Sequence, residues 1–234
     1  DYSSWLGQHE ALYQGFVKLK EAATFAAYSR EGRPVHIALS GGSTPKALYQ
    51  ALAAAPWRDK IAWHNLHLWW GDERCVPPAD SESNYGEAAR TLLDHVPVPP
   101  ENIHRMRGED DPAAERARYA ADLAAHLPDG RLDWTILGIG EDGHTASLFP
   151  GATDYATIAS VAVAEHPTSG QTRLTLTAPL IARSKHISYL AVGAGKADIL
   201  RAIADGGDYP AARIHAEHGN TEYHTDRAAA SRLP

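Results

Sequence analysis

The chain has 234 residues, of which 44% are hydrophobic and 22% charged, enough apolar matter for a sizeable core at a length that suits one α/β domain. One cysteine excludes an internal disulfide, no stretch approaches the roughly 20 apolar residues of a membrane helix, and nothing near the N-terminus reads as a secretory signal, so a cytoplasmic protein is expected. A formal charge of -7 with scattered arginines leaves no basic footprint for nucleic acid, although a screened field still permits a local anion site.

The elements alternate in the manner of βαβ units around a mostly parallel sheet with helices on both faces, with no internal repeat. A helix is expected over Trp5 to Tyr28, then a strand over Val35 to Leu39 and a helix over Pro45 to Ala54. Between the last two lies SGGST. Gly41 and Gly42 permit backbone angles closed to other residues, Thr44 can cap the helix, and Pro45 suits its first turn. The free amides of Gly42, Ser43 and Thr44, with two hydroxyls and the helix N-terminus, would converge on a point that suits a phosphate. An ordinary strand-to-helix turn with a Thr cap is the alternative, and the stretch does not fit the nucleotide P-loop pattern.

A second strand, Leu66 to Trp70, runs into GDERC, which sends Asp72 and Arg74 toward the crevice beyond the strand ends. Cys75 reads as a packing residue. Polar, proline-rich loops from Pro77, Val96 and Gly108 separate helices expected over Tyr85 to Leu93 and Ala113 to Leu127, and none is long enough for a separate domain, so one domain over residues 1–234 is expected. The strand Trp134 to Gly138 leads into GIGEDG, a formal match to the dinucleotide fingerprint. That reading fails because Pro150 and Gly151 soon break any helix and no acid stands at a strand end about 20 residues on. The turn instead offers Asp142 and His144 at the ligand edge, the latter with a side chain suited to proton transfer near neutral pH.

Strands over Ile158 to Val163, Arg173 to Thr177 and Ile187 to Val192 follow, with helices over Pro179 to Arg183, Ala194 to Ala204 and Asp226 to Arg232. GAGK places Lys196 in a first helical turn, an unfavourable site for a cation unless an anion sits there too. There is no serine-hydrolase elbow and no H-E-x-x-H, and His215 and His218 lack a third ligand.

The segments LSGGSTPKALYQ, WWGDERCVPPADSESNYGEA, ILGIGEDGHTASLFPG, RLTLTAPLIARSKHISYLAVGAGKA and PAARI resemble the bacterial-type 6-phosphogluconolactonases, relatives of the glucosamine-6-phosphate isomerase/deaminases. The resemblance runs from Leu39 to Ile214 and implies a Rossmann-like fold, hydrolysis of 6-phospho-D-glucono-1,5-lactone, and no metal or other cofactor. It implies a phosphate held by Gly41, Gly42, Ser43, Thr44, Lys196 and Arg173. It also implies catalysis by His144, with Asp142, Asp72 and Arg74 around the sugar ring. The small-molecule partner would be the sugar-phosphate lactone, and the chain a monomer or weak homodimer. Two departures stand out: YHTDRAAA replaces an aromatic and aliphatic C-terminal segment, and Phe149 stands where the isomerase/deaminases carry a catalytic glutamate. An isomerase/deaminase and a non-catalytic sugar-phosphate sensor are the rival readings.

Overall fold

A computed structural model describes residues 20–234. It contains a helix α1 over residues 20–29, then β1 (Val35–Leu39), α2 (Ser43–Leu52), α3 (Trp57–Lys60), β2 (Leu66–Trp70), β3 (Asp72–Arg74), α4 (Asn84–Thr91) and α5 (Pro112–His126). There follow β4 (Trp134–Gly138), β5 (Val161–Glu165), β6 (Thr172–Leu176), α6 (Ala178–Ala182), β7 (His186–Ala191), α7 (Ala197–Ala204), α8 (Pro210–Arg213) and β8 (Asn220–Thr225). The part of the first expected helix before residue 20 lies outside the described residues.

Five strands form a fully parallel sheet in the order β2-β1-β4-β7-β8. Its central strands are apolar on both faces, as strands covered by helices must be. Val35, Ile37 and Leu39 of β1 and Leu66, Leu68 and Trp70 of β2 pack with Phe25, Leu48, Tyr49 and Leu52 from α1 and α2. From the other face Ala38, Trp69, Leu137 and Tyr189 pack with Tyr119, Leu123 and Leu200 from α5 and α7. Helices therefore cover both faces. The chain steps from β1 outward to β2, then returns to lay β4 on the other side of β1. The carboxyl ends of β1 and β4 thus flank the point where strand order reverses, where open α/β sheets bind ligands.

Two expected strands do not join this sheet. They form a separate antiparallel sheet of order β3-β6-β5, in which β6 pairs with β3 on one side and β5 on the other. The first of them begins at Val161 instead of Ile158, and Ile158 is fully exposed. Gly71 joins the two sheets. Its amide donates to the Leu39 carbonyl at the end of β1, and its carbonyl accepts from the Leu176 amide at the end of β6. The helix expected over Asp226 to Arg232 is a series of turns, because the buried Asp226 carboxylate accepts from the Gly193 and Ala229 amides and ties the segment to the turn after β7. No described helix is long and apolar enough to cross a membrane.

Candidate active site

Beyond the carboxyl ends of β1, β2, β4 and β7 lies a cavity of about 230 Å3, lined by residues of four turns. Ser40, Gly41 and Gly42 come from the first, Asp72 and Arg74 from the second, Gly138, Ile139, Gly140, His144 and Ala146 from the third, and Lys196 from the fourth. Arg173 on β6 and Asn84 at the start of α4 complete the wall. Of the expected site residues, Ser43 and Thr44 open α2 beside the cavity without lining it, and Asp142 touches it through His144.

The first turn bends at Gly42, whose φ of 105° and ψ of 172° favour glycine. Gly42, not Thr44, is the N-cap, and no side chain caps α2. The first-turn amides of Ser43 and Thr44 therefore have no intrahelical acceptor. The buried Tyr49 hydroxyl accepts from the Ser40 amide at 3.1 Å and donates to its carbonyl at 2.5 Å, fixing the strand end against the helix. Gly41 has a different reason to lack a side chain, since a methyl group there would overlap the Asn84 amide.

The glycines of GIGEDG serve a histidine. No helix follows the turn, which the dinucleotide fingerprint requires. A Cβ on Gly140 would overlap the His144 ring, and Gly143 takes a φ of 82°. Asp142 Oδ1 accepts from the His144 amide at 3.1 Å and lies 2.5 Å from its Nδ1. Partial burial raises the Asp142 carboxyl, but these bonds outweigh it and leave the carboxyl below its ordinary range. Phe149 is buried with its ring centroid 5.1 Å from that of His144.

Asp72 is also buried but never reaches the imidazole. Its carboxylate accepts from Ser147 Oγ at 2.6 Å and from Asn84 Nδ2 at 3.1 Å, so it links β3, the histidine turn and α4. Beside it, Arg74 and Arg173 are direct cross-strand partners on β3 and β6. Like charges so placed repel. Burial lowers the Arg173 guanidinium first, and the neighbouring Arg74 lowers it further. Arg173 lies over the Phe149 ring and donates to Gln171, while Arg74 donates to the Glu82 carbonyl and leaves a buried Nε without a partner. Among the described residues neither arginine, nor Lys196, has a carboxylate within ion-pair distance. Three cations without a direct ion pair among the described residues thus face one cavity, with Asp72 on the same wall.

Asn84, Ser147 and Glu73 escape sequence reasoning. The buried Glu73 carboxylate accepts from the amides of Arg74, Asn84 and Tyr85 and from Ser83 Oγ at 2.7–3.0 Å, pinning the start of α4 to β3. The only signal was its place in GDER, between two residues singled out for other reasons. A second cavity of about 530 Å3 lies elsewhere, but its Arg105, Arg107 and Arg118 are all paired with acids.

The family model for glucosamine-6-phosphate isomerases/6-phosphogluconolactonase matches residues 7–223. The chain is 52% identical over 214 residues to the 6-phosphogluconolactonase of Haemophilus influenzae, an alignment that covers 90% of this chain and 92% of that one. The crystal structure of the devB protein superposes with a TM-score of 0.91 at 50% identity, covering 94% of this chain and 96% of the other. The 6-phosphogluconolactonase of Trypanosoma brucei superposes at 0.78 with 27% identity, covering 95% and 96%. A match across nearly the whole chain, in sequence and in backbone alike, means that the chain belongs to the glucosamine-6-phosphate isomerase/6-phosphogluconolactonase family.

Proposed function

We propose that the chain hydrolyses 6-phospho-D-glucono-1,5-lactone to 6-phospho-D-gluconate, in the cavity described above, as one domain over residues 1–234. The observation that carries this reading is an Asp142–His144 pair on the wall of a cavity that also holds Arg74, Arg173 and Lys196, three cations against the one carboxylate of Asp72. A δ-lactone is an activated ester, so its hydrolysis needs a placed water, a base and stabilisation of the developing oxyanion. With Nδ1 protonated and donated to Asp142, His144 keeps a lone pair on Nε2. That nitrogen takes a proton from the water as its oxygen bonds C1. It returns the proton to the ring oxygen when the bond from C1 to that oxygen breaks. Arg74 offsets charge on the carbonyl oxygen, an effect worth a few kcal/mol from a preorganised donor.

The phosphate binds at the amides of Gly41, Gly42, Ser43 and Thr44 with Lys196 and Arg173, and holds C1 against the imidazole. Asp72 orients the wall through Ser147 and Asn84. Against the isomerase/deaminase reading, Phe149 presses an apolar ring on His144 where that chemistry would use a carboxylate. A sensor would have no need of the aligned Asp142–His144 pair. The enzyme works in the cytoplasm as a monomer or weak homodimer. The test is hydrolysis of freshly made lactone by wild type and His144→Ala against spontaneous decay. His144→Ala should lower kcat by about 10²- to 10⁴-fold and leave product affinity nearly unchanged. Normal turnover by the variant would sink the assignment.

A further inference from the structure

We propose that His104, Asp122 and His126 form a binding site for a zinc-class divalent cation, at the end of the parallel sheet remote from the cavity. Each offers one donor atom, and the three donors lie within 4.8 Å of one another. Asp122 and His126 stand four residues apart on the last turns of α5, on one face of the helix. His104 reaches them from the segment that follows β2 alongside Leu68, whose carbonyl accepts the His104 amide. His67, the second residue of β2, belongs to the same group, and the active-site Asp72 lies five residues further on, roughly 16 Å along an extended chain.

His126 Nδ1 lies 3.0 Å from Asp122 Oδ1 and 3.0 Å from the Asp122 carbonyl, contacts that an ion would replace, while His104 stands further off. His104 Nδ1 lies 3.3 Å from Asp122 Oδ2, long against the roughly 2.7–2.9 Å of a charge-assisted hydrogen bond. A tetrahedral ion with bonds of about 2.0–2.2 Å needs its donors about 3.3 Å apart, so a small contraction makes the set bind. The orientation of His104 is already set for this. Its Nε2 is 3.0 Å from His67 Nδ1, and its ring stacks on Trp69 at 3.9 Å between centroids. A ligating imidazole is held in this way, with its second nitrogen donated to a fixed acceptor and the other left for the metal. Two nitrogens and one carboxylate oxygen suit zinc or its first-row neighbours better than magnesium or calcium. The route in is open, because His104 and Asp122 form part of the wall of the 530 Å3 cavity and His126 is partly exposed. Arg118 does not block it. Its guanidinium is held by Glu115 at 2.6 Å and only grazes Asp122 at 3.5 Å.

An ion here would clamp the β2-to-α5 connection to the end of α5, a structural pin independent of the lactonase reading. The test uses the full chain, stripped with chelator and titrated with zinc chloride by calorimetry, with melting temperature followed in parallel. One saturable equivalent with a Kd below about 100 μM and a rise in melting temperature are expected. His126→Ala and Asp122→Asn should each weaken binding by at least about tenfold and abolish the rise, with lactone hydrolysis intact. His126 is exposed enough that its replacement keeps the fold even if Asp122→Asn does not. No saturable binding, or binding that survives His126→Ala because the ion sits on surface histidines such as His215 and His218, overturns the proposal.

Discussion

Removing one charge from the Arg74–Arg173 pair should move stability and affinity in opposite directions. The two side chains are cross-strand partners on β3 and β6, and the nearby Asp72 and Glu82 offset only part of the effect of Arg74 on Arg173. At a separation of roughly 6 Å their repulsion is about 0.7 kcal/mol at the dielectric of water and about 2.8 kcal/mol at an effective value of 20. Arg173→Met relieves it and keeps the aliphatic packing. What the variant loses is the contact over Phe149, about 0.5–1 kcal/mol, and the hydrogen bond to Gln171, about 1 kcal/mol. At the effective dielectric of 20 that suits a partly buried pair, the gain exceeds these losses and the free protein should be about 1 kcal/mol more stable, a rise in melting temperature of up to about 4 °C for a chain of this size. In the proposed complex the same guanidinium would give charge-assisted bonds to the anion, about 1.5–3 kcal/mol, so 6-phosphogluconate should bind about 10- to 150-fold more weakly to the variant.

Scanning calorimetry with and without product separates the two effects. At 100 times the wild-type Kd, product stabilises the wild type by about 2.7 kcal/mol, whereas a variant binding tenfold more weakly gains about 1.4 kcal/mol. A structural arginine gives the reverse pattern: lower stability of the free protein and an unchanged gain from product. That result would refute the assignment of Arg173 to the anion.

Gly140→Ala should drive the His144 ring from its place, lowering kcat by about 10²-fold with a normal fold by circular dichroism. Glu73→Ala strips four donors of a buried acceptor and should cost about 3–5 kcal/mol, seen as a fall of about 10 °C or more in melting temperature. The His36 ring, which accepts from Trp69 Nε1, is held down to about 4 by burial first and by His67 next. It stays neutral in the folded state at a pH where the unfolded chain is protonated, so its contribution is whole above pH 6.5 and is lost as pH falls toward 4. The full shift is worth about 3 kcal/mol, reduced to about 1–2 kcal/mol by solvent at its exposed edge. In chelator, His36→Gln should flatten the slope of melting temperature against pH across that window.

The parallel strands were legible because VHIAL, LHLWW and WTILG are buried on both faces and so read as unbroken apolar runs. The same logic hid β3 and β8. DER is short and charged, and NTEYHT is a polar edge strand identified only by its neighbour β7. Ile158 misled in the opposite direction, an apolar residue that packs on nothing. In the C-terminal RAAA, helix propensity gave way to the Asp226 carboxylate, whose bonds to the Gly193 and Ala229 amides outweigh a few tenths of a kcal/mol per alanine. Within the site, Gly42, His144 and Lys196 were found from their positions after strands. Asn84, Ser147 and Glu73 were not, because they act through contacts between segments far apart in sequence.

Those distant contacts also separate two acids that the sequence presents as equivalents. The Asp142 carboxylate bonds its own turn and the His144 ring, and against the effect of burial its pKa is lowered by the His144 amide first and by the imidazole next. In the proposed mechanism a carboxylate so placed would act on the proton chemistry by fixing the tautomer. Asp72 meets Ser147 and Asn84 and lies among Arg74 and Arg173, so its charge offsets part of their repulsion while its oxygens hold three elements in register. Removing the first should reshape the pH dependence of kcat, whereas removing the second should loosen the cationic wall and raise KM. The difference follows from which side chains each carboxylate touches, and neither composition nor spacing carries that information.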